Sequence, residues 1–199
     1  MREDALAVDL QLYMKSLGAE DNFLMLCAAP HNRAVQPSTG RRLEPGDIIL
    51  AEITPSYRGQ MAQICRTAVL GKASDALRQG YDLVVDSMKQ GIAAALPGAT
   101  MADVCHAIDS VLATKGYGEF CHPPHIRRRG HGLGFGSNLP GDVNVDNPTP
   151  LEADMFFVIH PNQYLPETGY LLCGEPVLIT TQQPELLSHQ MASLPEIPI

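Results

Sequence analysis

Hydrophobic and polar positions change period several times along this chain, and each change marks an element. Over residues 3–16, Leu6, Val8, Leu10, Leu12, Tyr13 and Met14 fall at mostly helical spacing, with Gly18 where a helix C-cap stands. A short opening helix is predicted there. The apolar run Asn22–Ala28 predicts a buried strand, and residues 30–46, rich in Pro, Gly, Ser and Arg, predict a loop. Residues 47–54 and 59–70 are β-rich stretches joined by Pro55-Ser56-Tyr57-Arg58, the pattern of an antiparallel hairpin. Ser74 caps a predicted long helix running to Leu96, ended by Pro97-Gly98, and Thr100 caps the next, Met101 to Lys115. Short strands return near residues 125–132, 154–160 and 170–180. The order helix, strands, two helices, strands predicts an α+β fold, with helices layered on one face of a curved antiparallel sheet. Residues 182–199, with Pro184, Pro195 and Pro198, are expected to form an irregular tail after one domain of residues 1–181.

Composition narrows the class. At 199 residues, 45% hydrophobic and 18% charged, the chain has the balance of a globular protein with one sizeable core. A net charge of -8 weighs against nucleic acid as a partner, since phosphate binding needs clustered Lys and Arg. Arg127, Arg128 and Arg129 are a local exception: a solvated or strand-edge feature, or a place where one arginine meets a substrate carboxylate. Cys27, Cys65, Cys105, Cys121 and Cys173 are odd in number and free of any C-x-x-C spacing, which reads as reduced thiols. The acidic N-terminus lacks a basic-then-apolar signal, and no apolar run approaches the ~20 residues of a membrane span, so a cytoplasmic location and no membrane partner are expected.

The most informative string is Gly130-His131-Gly132-Leu133-Gly134. Flanking glycines let backbone come close to another group and leave the imidazole accessible, although surface turns also collect both residue types. Glu52 and Gln63 face each other across the predicted hairpin, His160-Pro161 ends an apolar strand, and Gly174-Glu175 sits inside the last one. Polar side chains within such apolar runs are costly to bury alone, so they are expected to converge. His106 reads as helix packing or surface, His122 and His125 as residues of a pocket mouth or as plain turn residues, and His189 as a solvated tail residue. Tyr57, Tyr164 and Tyr170 are either pocket walls or covers for the core.

At these positions the chain resembles the methionine aminopeptidase, prolidase and creatinase superfamily. Gly46-Asp47-Ile48-Ile49-Leu50-Ala51-Glu52 matches the segment of the first metal-binding Asp, with Glu52 in its place; Ala62-Gln63-Ile64-Cys65-Arg66-Thr67 matches the second, with Gln63 in its place. His131 matches the histidine of the family's G-H-G-I-G string, His160 in Val158-Ile159-His160-Pro161 matches the Glu of I-E-P, and Glu175 matches the last Glu. The likeness runs from about Asn22 to Thr180 and implies the pita-bread fold with a site in the middle of its sheet.

The departures alter the expected chemistry. The family's two Asp, two Glu and one His bring four negative charges to two divalent cations, whereas Glu52, Gln63, His131, His160 and Glu175 bring two. Two arrangements are left: one zinc, iron, manganese or cobalt ion held by His131, His160, Glu175 and Glu52, with Gln63 a weak ligand, or a metal-free acid–base site, as in creatinase. The family's substrate-facing histidines are also absent, with Ala34-Val35-Gln36 near the first and Asn138 at the second. The resemblance implies a hydrolase of the Xaa-Pro peptidase or creatinase type, cleaving a C–N bond in a small peptide-like or non-peptide substrate. Glu52 and Glu175 would handle water, His131 would meet developing charge, and His160 would be a ligand or proton donor. The alternative is a catalytically inactive pita-bread domain that binds a ligand or protein; a lyase using the same pocket is a third reading. Set against prolidase-like members, the first helical part is expected to be shortened and the separate N-terminal domain not to be in the given sequence, Met1 being either a true start or a truncated one, and an apolar face left uncovered would favour a homodimer.

Overall fold

The computed structural model describes residues 1–136, 139–188 and 192–199, so the expectations placed on Asn138 and His189 lie outside the described residues. Helix α1 (Glu3–Ser16) opens the chain, and Gly18 takes a φ of 101° where the backbone turns out of it. Strand β1 (Asp21–Ala29) pairs antiparallel with β2 (Ile48–Tyr57), which turns through Arg58 and Gly59 into β3 (Gln60–Met61) and β4 (Ile64–Leu70). The predicted hairpin is therefore present, with its first strand reaching Tyr57 rather than ending at Thr54.

Helices α2 (Asp75–Ala94) and α3 (Met101–Thr114) start at the expected caps: the Ser74 side chain accepts from the Leu77 amide, and Thr100 forms a reciprocal capping box with Asp103. A second sheet follows, made of β5 (Gly130–Gly132), β6 (Phe156–Ile159), β9 (Glu175–Leu178) and β10 (Glu185–Leu186), with a separate β7–β8 hairpin (Gln163–Leu165, Gly169–Leu171). With β11 (Glu196–Ile197) included, strand order is β1-β2-β4-β11 in the first sheet and β10-β9-β6-β5 in the second. The expected strand over 170–180 is in fact two, and that over 125–132 shrinks to three residues. Residues 182–199 are not wholly irregular: β10 docks on β9, and β11 (Glu196–Ile197) runs parallel to β4.

Alternation along β2 sorts its side chains between two cores. Ile49 and Ala51 join Leu26 and Ala28 in a small cluster covered by Leu6 and Leu10 of α1. Ile48 and Leu50 belong to the main core with residues of α2, α3, β6 and β9. Two buried carboxylates tie the loop of residues 30–46 down. Glu3 accepts from the Ala28 and Thr39 amides and the Thr39 hydroxyl, and Asp47 takes a two-pronged ion pair from Arg41 at 2.6 and 2.8 Å.

The two sheets meet at residues 65–67 and 172–175. Cys65 and Gly174 exchange backbone hydrogen bonds, each 3.1 Å, and the Thr67 hydroxyl both donates to the Leu172 carbonyl and accepts from its amide at 2.8 Å. Arg66 donates to the Gly174 carbonyl at 2.8 Å and forms an ion pair with Glu175 at 2.9 Å. This clasp sets which side chains of the second sheet face those of the first.

Candidate functional site

Register decides the site. On β6 and β5, His131 lies opposite Val158, so His131, Val158 and His160 share one face of the sheet. The imidazole rings of His131 and His160 stand edge to face with centroids 5.3 Å apart. Gly174 belongs to the same face: a Cβ on it would lie 2.6 Å from that of His160 and 3.0 Å from that of Cys65. Glu52 joins through Cys65, its partner across β2 and β4.

Glu175 does not. It pairs with Ile159 on the opposite face, where Gly91 of α2 approaches Ile159 and the neighbouring Cys173 sulfur sits 3.4 Å from that of Met88. The carboxylate is fully buried there and bound to Arg66. Expected as a site carboxylate, Glu175 is instead part of the clasp beneath the site, because a one-residue offset on a strand reverses the side-chain direction. The residue that faces His160 at this point is Gly174, and no larger side chain fits.

The remaining polar residues form two groups. In the first, the Gln63 amide donates to Glu52 Oε1 at 2.9 Å, with the Cys65 sulfur 3.6 Å from the Gln63 nitrogen. Burial raises the Glu52 pKa, opposed by Arg128, Cys65 and Gln63. In the second, hydrogen bonds assign both imidazole tautomers. The Cys173 amide can only donate, so it meets Asn162 Oδ1 (3.2 Å); the Asn162 NH2 group therefore donates to His160 Nδ1 (3.1 Å), and the proton of neutral His160 sits on Nε2. His131 Nδ1 meets the Gly132 carbonyl at 3.0 Å and must donate, which leaves a lone pair on Nε2. Burial lowers the pKa of both histidines, most strongly at His160, where His131 and Arg128 add to the effect, so both are neutral at pH 7.

Several of these residues carried weak sequence signals or none. Cys65 stands two residues after Gln63 on an alternating strand, and Asn162 two after His160. Of the three arginines, Arg127 is exposed and Arg129 is buried on Asp109 and Gln163, but Arg128 bonds Asp142, the residue bridged to His131 across the strand. His106 is exposed on α3, His125 packs on Phe120 and Tyr164, and His122 turns back to the Pro123 carbonyl. Tyr170 is a core residue, while Tyr57 is exposed beside Gly18. All five cysteines are free.

The model of metallopeptidase family M24 matches residues 1–181. The chain belongs to this family. Among its relatives is the uncharacterized peptidase YqhT of Bacillus subtilis, 29% identical over 195 residues, which cover 96% of this chain and 54% of that protein. Among solved structures, the dipeptidase PepE of Mycobacterium ulcerans superimposes with a TM-score of 0.91 at 26% identity, covering 100% of this chain and 53% of that one. The prolidase of Pyrococcus furiosus gives 0.88 at 25% identity, covering 96% and 56%. The chain thus spans about half the length of the M24 proteins it matches, with the pita-bread fold throughout. No helix among the described residues is long and apolar enough to cross a membrane.

M24 membership implies divalent metal, and the donor set of this chain does not fit it. Among the described residues no three His, Cys, Asp or Glu side chains gather closely enough to hold an ion. The arrangement explains why. Gly174 offers no donor, Glu175 faces α2, the Gln63 amide nitrogen fills a position beside Glu52, and His160 presents a proton rather than a lone pair. Glu52 and His131 Nε2 still present acceptor electrons to this face as arranged.

Proposed function

We propose that this chain carries a hydrolytic site of the prolidase and creatinase kind, which cleaves a C–N bond in a small peptide-like substrate by histidine acid–base chemistry. The observation that carries this reading is the opposite tautomers of His131 and His160, a lone pair and an N–H on facing rings. His131 Nε2 takes a proton from water, whose oxygen attacks the carbonyl carbon, while His160 Nε2–H donates to the substrate oxygen that gains charge. As the C–N bond breaks, His131 returns its proton to the departing nitrogen. Glu52, held by Gln63, orients the water. Names such as dipeptidase and prolidase among the M24 relatives support a peptide-like substrate.

The test is amine release from a panel of Xaa-Pro dipeptides and small amides, before and after treatment with a chelator. Turnover that survives chelation and falls about 10²–10⁴-fold in His131→Ala, the usual contribution of a general base, supports the reading. Turnover abolished by the chelator and restored by a divalent ion refutes it. The second reading, a ligand- or protein-binding domain, is favoured by the Gln63 amide that already occupies Glu52 and by the absence of side-chain donors at Gly174. A folded protein inactive on the whole panel would support it.

A further inference from the structure

Outward-facing side chains differ between the helices of the two halves. The large exposed side chains of α2 and α3 are polar, among them Asp82, Asp86 and Lys89 on the first and Asp103, His106 and Ser110 on the second. Helix α1 breaks that pattern. Its inner side is apolar, with Leu6 and Leu10 packed on the small core and Ala7 and Met14 buried, yet its outer side is apolar too. Ala5, Val8 and Leu12 follow one another at steps of three and four residues along that outer side. Tyr13 and Leu17 widen the stripe, and Tyr57 stands beside Gly18 at its end. Val8, Leu12, Tyr13, Leu17 and Tyr57 are between 50% and 69% exposed. A helix apolar all round belongs to an interior, and a contiguous exposed patch of this kind marks a contact surface.

The charges on this face say what covers it. Asp9 and Lys15 lie three residues before and three after Leu12, which at about 100° per residue puts them on opposite flanks of the stripe. Both are exposed, and among the described residues neither has an ion-pair partner; Lys15 Nζ donates to the Glu20 carbonyl at 3.2 Å. A two-fold axis through Leu12 carries this pattern onto itself with the signs crossed, so that Asp9 meets Lys15 of the partner subunit and Lys15 meets Asp9 of the partner subunit. We infer that the outer face of α1 is the contact surface for a second copy of this chain. The two helices pack antiparallel with Leu12 at the axis, and an ion pair closes each flank of the apolar seam. Ala51 and Ile53 face α1 while Glu52 faces away from it, so the contact lies on the reverse of the sheet from the candidate site.

The experiment is sedimentation equilibrium of the full chain and of surface variants. Expected is a reversible dimer with a Kd on the order of 10 μM, fitting a small interface. Leu12→Glu sets two carboxylates against each other at the axis and should weaken it about 100-fold or more. Asp9→Lys and Lys15→Asp should each weaken it about tenfold, because symmetry turns two ion pairs into two like-charge contacts. The double variant, Asp9→Lys with Lys15→Asp, should return it to within about threefold of the original. All three positions are exposed, so urea midpoints at concentrations too low for association should stay as they were. A monomer at about 100 μM protein would overturn the inference and leave the face to a different partner. A dimer indifferent to Leu12→Glu, or charge variants that fail to weaken and then restore it, would overturn it too, by putting the contact elsewhere.

Discussion

Glu175 and His160 lie one residue out of register on adjacent strands, and both are almost wholly buried. They have opposite fates. Glu175 faces α2, and its charge is matched by Arg66, which also holds the Gly174 carbonyl. His160 faces away from α2 with Nδ1 fixed by Asn162 and a bare N–H at Nε2. Each has one atom without a hydrogen bond, Glu175 Oε1 and His160 Nε2; what separates them is that the Glu175 oxygen lies 2.9 Å from the Arg66 guanidinium, whereas no described residue pairs with the imidazole nitrogen. Family motif matching alone treats the two residues as equivalent site members, and the structure separates them.

The sharpest way to break this contrast is Glu175→Ala. It removes the carboxylate that Arg66 pairs with at the junction of the sheets and should cost about 2–4 kcal/mol of unfolding free energy, less than for a fully buried pair because the guanidinium is partly exposed, read from urea denaturation. The apolar double replacement Arg66→Met with Glu175→Leu should recover most of that loss, since the pair's own net contribution is small. A change below about 1 kcal/mol in the single variant would return Glu175 to the list of site residues.

Next in size is Gly174→Ala. The added Cβ meets the Cβ atoms of His160 and Cys65, so a loss of about 1–3 kcal/mol from overpacking is expected, together with a shifted His160 imidazole resonance. A neutral effect would mean that the site face has room for a side chain there and that a carboxylate could be rebuilt.

Smaller, and opposite in sign for the two kinds of group, is the response to pH. His131 and His160 have folded pKa values below the ordinary 6.5. As pH falls below 6.5 the unfolded chain takes up protons that the folded chain refuses, and stability drops by up to about 1.4 kcal/mol per pH unit for each histidine. Glu52 has a raised pKa, so its contribution is present at low pH and is lost as pH rises from 4.5 through its folded value. Urea midpoints measured between about pH 8 and 5 should fall on the acid side, and His160→Gln should flatten that slope. A slope unchanged in the variant would show that His160 is not the group responsible.

The smallest expected effect is that of added metal. With so few donors presented to the site face, millimolar zinc or manganese should leave the unfolding midpoint of the protein where it was, because a ligand stabilises only what it binds. A midpoint that climbs with metal concentration and loses that dependence in His131→Ala would restore the mononuclear reading.

Much of the fold was legible because its signals are local. The caps at Ser74 and Thr100, the helical turn-off at Gly18 and the hairpin around Gly59 each arise from a few adjacent residues whose preferences are strong. The β7–β8 hairpin and the docking strands β10 and β11 were not, since each is only two or three residues long, too short for a periodic signal, and β11 in addition owes its pairing to β4, far back along the chain. The candidate site was legible in the same partial way. His131 was singled out by its flanking glycines and Glu52, Gln63 and His160 as polar residues in or beside apolar runs; the structure brings Gln63 onto Glu52 and the two imidazoles within 5.3 Å of each other. Cys65, Asn162 and Arg128 were missed or left undivided among neighbours, because nothing in a strand's own sequence says which residue across the sheet it will meet.

By itself, then, the sequence determined the order of helices and strands and the glycine-framed histidine, which follow from residue type and spacing, and its resemblance to the family implied the loss of acidic ligands. Only the tertiary structure decided which of Gly174 and Glu175 looks into the site, which histidine nitrogen carries the proton, and which of three arginines stands beside His131. Side-chain direction on a strand has a period of two, so a single step of register exchanges inside for outside, and that step is set by the Cys65–Gly174 pairing between sheets formed more than a hundred residues apart.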